Sequence, residues 1–119
     1  MSLRSQLRTL QRSEDALAEQ IQALKNENTR IEANQAARNR TREQWIAERN
    51  RHPIESREWN QWQDKIDASL KELSSDGLTL YNNKKELGTK ERQYKDTQRE
   101  IDDVNFQINL LLARIESGK

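Results

Sequence analysis

Cysteine is absent from the chain, proline occurs once, glycine three times, and aromatic residues make up 5% of it. Without cysteine there is neither a disulfide framework nor a thiolate metal site, and a reducing compartment is compatible with such a chain. So little glycine and proline leaves out the turn chemistry on which β-folds and flexible linkers rely. No apolar stretch approaches the ~20 residues of a membrane span. The opening residues Met1-Ser2-Leu3-Arg4-Ser5-Gln6 lack the apolar core of a signal peptide. Neither sign of charge dominates: 21 Lys and Arg stand against 20 Asp and Glu, for a net charge of +1. That balance argues against non-specific attraction to nucleic acid, which calls for a clearly basic domain. Apolar residues, at 32%, fall short of the roughly 45–50% typical of a globular core. These absences predict a chain made in the cytoplasm, without a cofactor and not inserted in a membrane. Export alongside a partner, by a route needing no cleaved signal, is compatible with them.

What is present is charge (34% of residues, mean hydropathy −1.22) and heptad periodicity. Leu3, Leu10, Leu17, Leu24 and Ile31 recur every seven residues, with Leu7 and Ile21 between them and Glu14 and Asn28 filling the missing steps. This is an a/d pattern with the first series at d. It continues through the polar Gln35, Arg38 and Arg42 to Trp45, so a first helix is expected over about 3–50. The lone Pro53 after His52 places a turn at about 50–55, because proline drives its predecessor out of the helical region. A second series then begins, Trp59, Ile66, Leu73, Leu80, Leu87, Tyr94, Ile101, Ile108 and Ile115, each seven residues from the last. It marks a helix over about 56–116 with these residues at a. Ser74-Ser75-Asp76-Gly77 looks like a helix stop and would permit a three-helix reading. Leu73 and Leu80 nonetheless keep their phase across it, so a continuous second helix with a weak point or kink near Gly77 is expected. The predicted fold is all-α: a long antiparallel two-helix coiled-coil hairpin, a single domain over 1–119.

Centring the turn on His52 pairs Trp45 with Trp59, Ile31 with Leu73, Leu24 with Leu80, Leu17 with Leu87, Leu10 with Tyr94 and Leu3 with Ile101. It also sets Arg4 by Glu100, Arg8 by Asp96, Glu14 by Lys90, Glu19 by Lys85 and Arg40 by Asp64. Exposed pairs of this kind contribute only ~0.2–1 kcal/mol each and select register more than they stabilise. The alternate layers are poorer: Ile21 meets Asn83, Leu7 meets Thr97, Asn28 meets Asp76 and Gln35 meets Ser69. A seam polar at every second layer is marginal alone and would gain from a further helix or a second copy.

In this pairing nothing in the first helix covers the residues beyond Asp103, the most apolar stretch of the chain: Val104, Phe106, Ile108, Leu110, Leu111, Leu112 and Ile115. Fully burying one such side chain is worth ~1.5–3 kcal/mol. Val104, Phe106, Ile108, Leu111, Leu112 and Ile115 are therefore the candidate partner-binding residues, with self-dimerisation of the last turns as the alternative. Trp45, Trp59 and Trp62 cluster near the turn and are expected to staple the two helices; a ligand-binding tip is the other reading. Arg38, Arg40, Arg42, Arg49 and Arg51 form a basic run, but Glu43, Glu48, Glu55, Glu58 and Asp64 are interspersed, which favours a solvated surface. The single His52 has no convergent partners, and Asp102 and Asp103 lack the i, i+3 or i, i+4 spacing of a helical metal pair. With no phosphate loop and no paired nucleophile and base, no catalytic or metal site is expected.

The layout resembles the small helical partner proteins of LXG toxins in Gram-positive type VII secretion, distant relatives of the WXG-type hairpins. The likeness rests on chain length, two polar helices, tryptophans at the turn (Trp45 and Arg57-Glu58-Trp59-Asn60-Gln61-Trp62) and the apolar run Phe106-Gln107-Ile108-Asn109-Leu110-Leu111-Leu112. It implies a cytoplasmic adaptor or targeting chaperone that binds the toxin's N-terminal helical domain and a second small helical protein. The turn lacks Trp-x-Gly, and Phe106 and Tyr94 are followed four residues later by Leu110 and Gln98 instead of an acid, so the partner would carry the export signal. Prefoldin-like subunits and type III export adaptors share the hairpin layout. A self-associating structural coiled coil, forming a homo-oligomer alone, is the alternative function.

Overall fold

The computed structural model describes residues 2–118. It contains two α-helices and, among the described residues, no strand: α1 spans Leu3–Arg49 and α2 spans Arg57–Ser117. The chain is an all-α helical hairpin. Each helix starts at a serine cap. The Ser2 hydroxyl accepts the Ser5 amide at 3.1 Å and the Ser56 hydroxyl accepts the Trp59 amide at 3.2 Å, each satisfying one free N–H of a first turn. Between the helices the chain turns tightly. The Arg51 and His52 amides donate to the Glu48 and Arg49 carbonyls, and the Ser56 amide donates to the Pro53 carbonyl. Glu55, third in that last turn, has φ 65°, a left-handed conformation that costs a side-chain-bearing residue roughly 1–2 kcal/mol.

Contacts group the hairpin into two compact units, a loop unit over Asn26–Lys84 and a terminal unit formed by the described parts of Met1–Lys25 and Lys85–Lys119. Within each, the seam follows the heptads read from the sequence. Every a and d position of both helices through Ile108 is buried or half-buried, and every described residue after Ile108 is exposed. The burial is shallow. Ile31, Ile66 and Val104 form the buried apolar set, Asn28 and Ser69 are the buried polar residues, and no described side chain is completely enclosed.

The register departs from the pairing centred on His52 by one heptad. In the loop unit Arg38 binds Asp76 and lies 3.9 Å from Glu72, Lys84 pairs with Glu32 at 3.6 Å, and Arg49 donates to Gln63 at 2.6 Å. In the terminal unit Leu10 lines a groove with Glu100, Asp103 and Val104, Ala18 and Ile21 do so with Glu91 and Tyr94, and Leu3 with Ile108 and Leu111. These contacts place Trp45 in the layer of Ile66, Ile31 with Leu80, Asn28 with Asn83, Leu17 with Tyr94, Leu10 with Ile101, Leu7 with Val104 and Leu3 with Ile108. The ion pairs expected from the other register are replaced by those of Arg38 and Lys84. The physical reason lies in the loop. It is not symmetric about His52, because the 53–56 turn and the Ser56 cap start α2 only at Arg57.

α2 passes unbroken through Ser74-Ser75-Asp76-Gly77. Leu73 and Leu80 hold the seam on either side, Arg38 engages Asp76, and the Thr79 hydroxyl donates to the Ser75 carbonyl at 3.2 Å. A Cβ added at Gly77 or at Gly88 would meet nothing within 4 Å, and no glycine has a positive φ. Neither glycine is needed for backbone shape or close approach. Each therefore weakens the helix by roughly 0.5–1 kcal/mol relative to alanine. Gly77→Ala and Gly88→Ala are each expected to raise the melting midpoint by about 2–6 °C. A circular-dichroism melt showing a lower midpoint would mean that one of these positions bends or packs as the helix geometry does not indicate.

Candidate functional site

The three tryptophans lie half-buried near the loop, and each meets a different neighbour. The Arg49 guanidinium sits over the Trp59 ring, 5.2 Å from its centre, and the Lys65 ammonium over Trp62 at 4.7 Å. Trp45 lines a groove with Ala37, Arg38, Thr41, Lys65 and Ser69. The one-heptad displacement separates Trp45 from the layer of Trp59, so the rings are held by cations and aliphatic neighbours. Arg49 also anchors the start of α2, donating to Gln63. A cation over an indole face contributes ~0.5–1 kcal/mol at an exposed site. The arginine run is divided in the same way: Arg38 and Arg49 serve the seam and the loop, and Arg51 pairs with Glu48 at 3.0 Å.

The other candidate surface is the C-terminal part of α2. Phe106 is 64% exposed, Leu110 44%, Leu111 47%, Leu112 47% and Ile115 65%. Between Asp103 and Arg114 there is no charged residue. Val104 does not belong to the uncovered surface. It is only 7% exposed because the observed register brings Gln6, Thr9 and Leu10 of α1 alongside it. Ile108 is half-buried for the same reason. Four of the six residues expected to be free are thus exposed, Phe106, Leu111, Leu112 and Ile115.

Leu3, the first residue of α1, divides this surface. On one side Ser2, Leu3, Arg4, Ile108, Leu111 and Leu112 line a groove of about 240 Å³; on the other Leu3, Gln107, Leu110, Leu111 and Arg114 line one of about 250 Å³. Leu111 borders both. Leu111 and Ile115 are the next d and a residues of the seam, with no α1 residue opposite, because the Ser2 cap starts α1 one layer short of them. Leu112 widens that face at e. Phe106 and Leu110, at f and c, lie toward the opposite side of the helix, so apolar surface extends well around it. Helices apolar on several sides are ordinarily buried.

No family model, curated protein or solved structure matches the chain. The site is therefore read from its own chemistry. Among the described residues no group of three or more His, Cys, Asp or Glu could hold a metal ion, and no helix is long and apolar enough to cross a membrane. Sequence reasoning passed over Leu70, Leu78 and Tyr81, which are exposed on α2 at e, f and b positions. Their signal was available: large apolar residues off the a/d series.

Arg49→Ala removes both the cation over Trp59 and the bond to Gln63. It is expected to cost about 1–2 kcal/mol and to shift tryptophan emission. An unchanged melting midpoint together with unchanged emission would show that these contacts do not anchor α2.

Proposed function

We propose that this protein is a non-catalytic helical adaptor, a targeting chaperone that binds a larger helical protein through the C-terminal part of α2. The observation that carries this reading is the run of five exposed large apolar side chains, Phe106, Leu110, Leu111, Leu112 and Ile115, continuing a seam that α1 no longer covers. Contiguous exposed apolar surface rimmed by polar residues marks interaction sites. A partner helix laid along Leu111 and Ile115 extends the a/d packing already present, the helix-in-groove mode in which anchors recur at i, i+3, i+4 and i+7. The resemblance in layout to LXG-toxin partner proteins supports a toxin's N-terminal helical domain as that larger protein, with a second small helical protein in the assembly. In this reading the adaptor works in the cytoplasm and leaves it, if at all, with its partner.

The same patch supports a second reading, self-association of two tails. The two separate cleanly in solution. Co-expressed with the helical N-terminal domain of an LXG toxin, the chain is expected to co-purify as a complex. Leu111→Glu is expected to weaken that complex at least about thirtyfold, as anchor residues contributing 2 kcal/mol or more do. The variant should remain helical by circular dichroism, because residue 111 lies beyond the covered seam. Undiminished binding by a folded Leu111→Glu chain would sink the docking reading. A homo-oligomer in sedimentation that the same substitution dissolves, with no binding to the toxin domain, would establish self-association instead.

A further inference from the structure

One seam layer has polar groups that nothing satisfies. Asn28 Oδ1 and Asn83 Nδ2 are both buried without a hydrogen-bond partner. Asn28 stands at a of α1 and Asn83 at d of α2, and the register of the loop unit puts them in the same layer, an acceptor and a donor each lacking what the other supplies. Polar side chains at such positions lower stability and select one alignment over its alternatives. The alternative here is specific. Displaced by one heptad, the helices again set apolar against apolar: Leu3 to Ile101, Leu10 to Tyr94, Leu17 to Leu87, Ile31 to Leu73. They also set Arg8 beside Asp96, Glu14 beside Lys90 and Glu19 beside Lys85. What the displacement loses is the asparagine layer, the Arg38–Asp76 pair and the cover that α1 gives to Val104 and Ile108.

We propose that the hairpin slides by one heptad between these two registers, that setting Asn83 opposite Asn28 costs the observed one less than setting it against Ile21 would cost the other, and that sliding enlarges the C-terminal docking face. The purpose assigned to the slide rests on the docking reading; its existence does not. In the second register Leu3 withdraws to Ile101, and Val104, Ile108, Leu111 and Ile115 become an uninterrupted a/d stripe. A partner helix that covers all four binds that register better and draws the hairpin into it, since a ligand shifts an equilibrium by its differential affinity. The seam offers little resistance, because no described side chain is completely enclosed. The loop would have to shift its turn centre by only about half a heptad, and it already holds Glu55 in a costly left-handed conformation.

The absence of cysteine makes a direct test possible on the purified chain. Disulfides need Cα atoms about 4.4–6.8 Å apart, whereas a heptad of helix is about 10 Å long. The pair Leu10→Cys with Ile101→Cys therefore reports the observed register, and Leu10→Cys with Tyr94→Cys reports the displaced one. Leu10→Cys with Leu87→Cys, two heptads away, serves as control. The displaced-register pair is expected to close slowly in the otherwise native chain. Asn83→Leu should accelerate it at least tenfold, because leucine there suits the layer with Ile21 that sliding creates. Asn28→Leu combined with Asn83→Leu should slow it instead, since two leucines favour the observed layer. Opposite effects of the single and double substitutions cannot come from general loosening. A Val104→Cys thiol should react with a maleimide at least fivefold faster when Asn83→Leu is added. Closure of the displaced pair no faster than the control in all three backgrounds would overturn the slide. An unchanged Val104→Cys labelling rate would overturn its coupling to the docking face. No partner enters these measurements, so the slide and the docking reading can fail separately.

Discussion

The rest of the structure depends on one constraint: the two helices share a heptad phase. Seven-residue recurrence on α1 and again on α2 leaves each with one narrow apolar stripe, and the only way for both stripes to leave water is to face each other. The burial pattern shows how completely this decides the packing, since every a and d residue up to Ile108 is withdrawn from solvent to some degree. It also shows how thin the result is, with Ile31, Ile66 and Val104 as the buried apolar set.

A seam so thin obtains specificity from what it lacks in depth. Layers such as Ile31 with Leu80 and Leu10 with Ile101 drive association. Those holding Asn28 and Asn83, or the d-position Arg38 that reaches Asp76 and Glu72, stabilise less and select more. Arg38 illustrates the exchange. Its position calls for a leucine, but its guanidinium pairs with a seam carboxylate next to Gly77, one of the two glycines that weaken α2. Long basic side chains also cover apolar surface with their stems while keeping the charge in water. The same logic holds at the loop, where Arg49 and Lys65 shield indole faces that a two-helix seam is too narrow to enclose.

The periodicity made the fold legible. Phase is a property of every heptad, so it was read many times over: the a/d assignments, the hairpin and the continuity through Gly77 all derive from it. Register is different, because a periodic pattern is blind to displacement by its own period. Trp45 opposite Trp59 and Trp45 opposite Ile66 satisfy the heptads equally well. The decision between them falls to seven loop residues with little pattern, where the turn closed by Pro53 and Ser56 and the left-handed Glu55 were invisible to spacing alone. The error then propagated to the candidate site. Val104 and Ile108 looked uncovered because the sequence-based register ended α1 one heptad short of its actual reach. Phe106, Leu111, Leu112 and Ile115 lie outside the reach of either register, so their exposure did not depend on that choice.

The same blindness has a physical counterpart. Whatever makes two registers indistinguishable to a reader of the sequence also brings them closer in energy for the chain, because most apolar layers have an apolar partner in both. The difference between them rests on a few layers: a pair of asparagines, one arginine with its carboxylates, and a valine covered or uncovered. Those terms are individually small against the apolar layers common to both. In the proposed slide such a hairpin is selected in register by its exceptions to the pattern, and a helix arriving at the C-terminal part of α2 would compete with them directly. Binding there would not have to deform either helix; on that proposal it would have to offset only the contacts that α1 gives up.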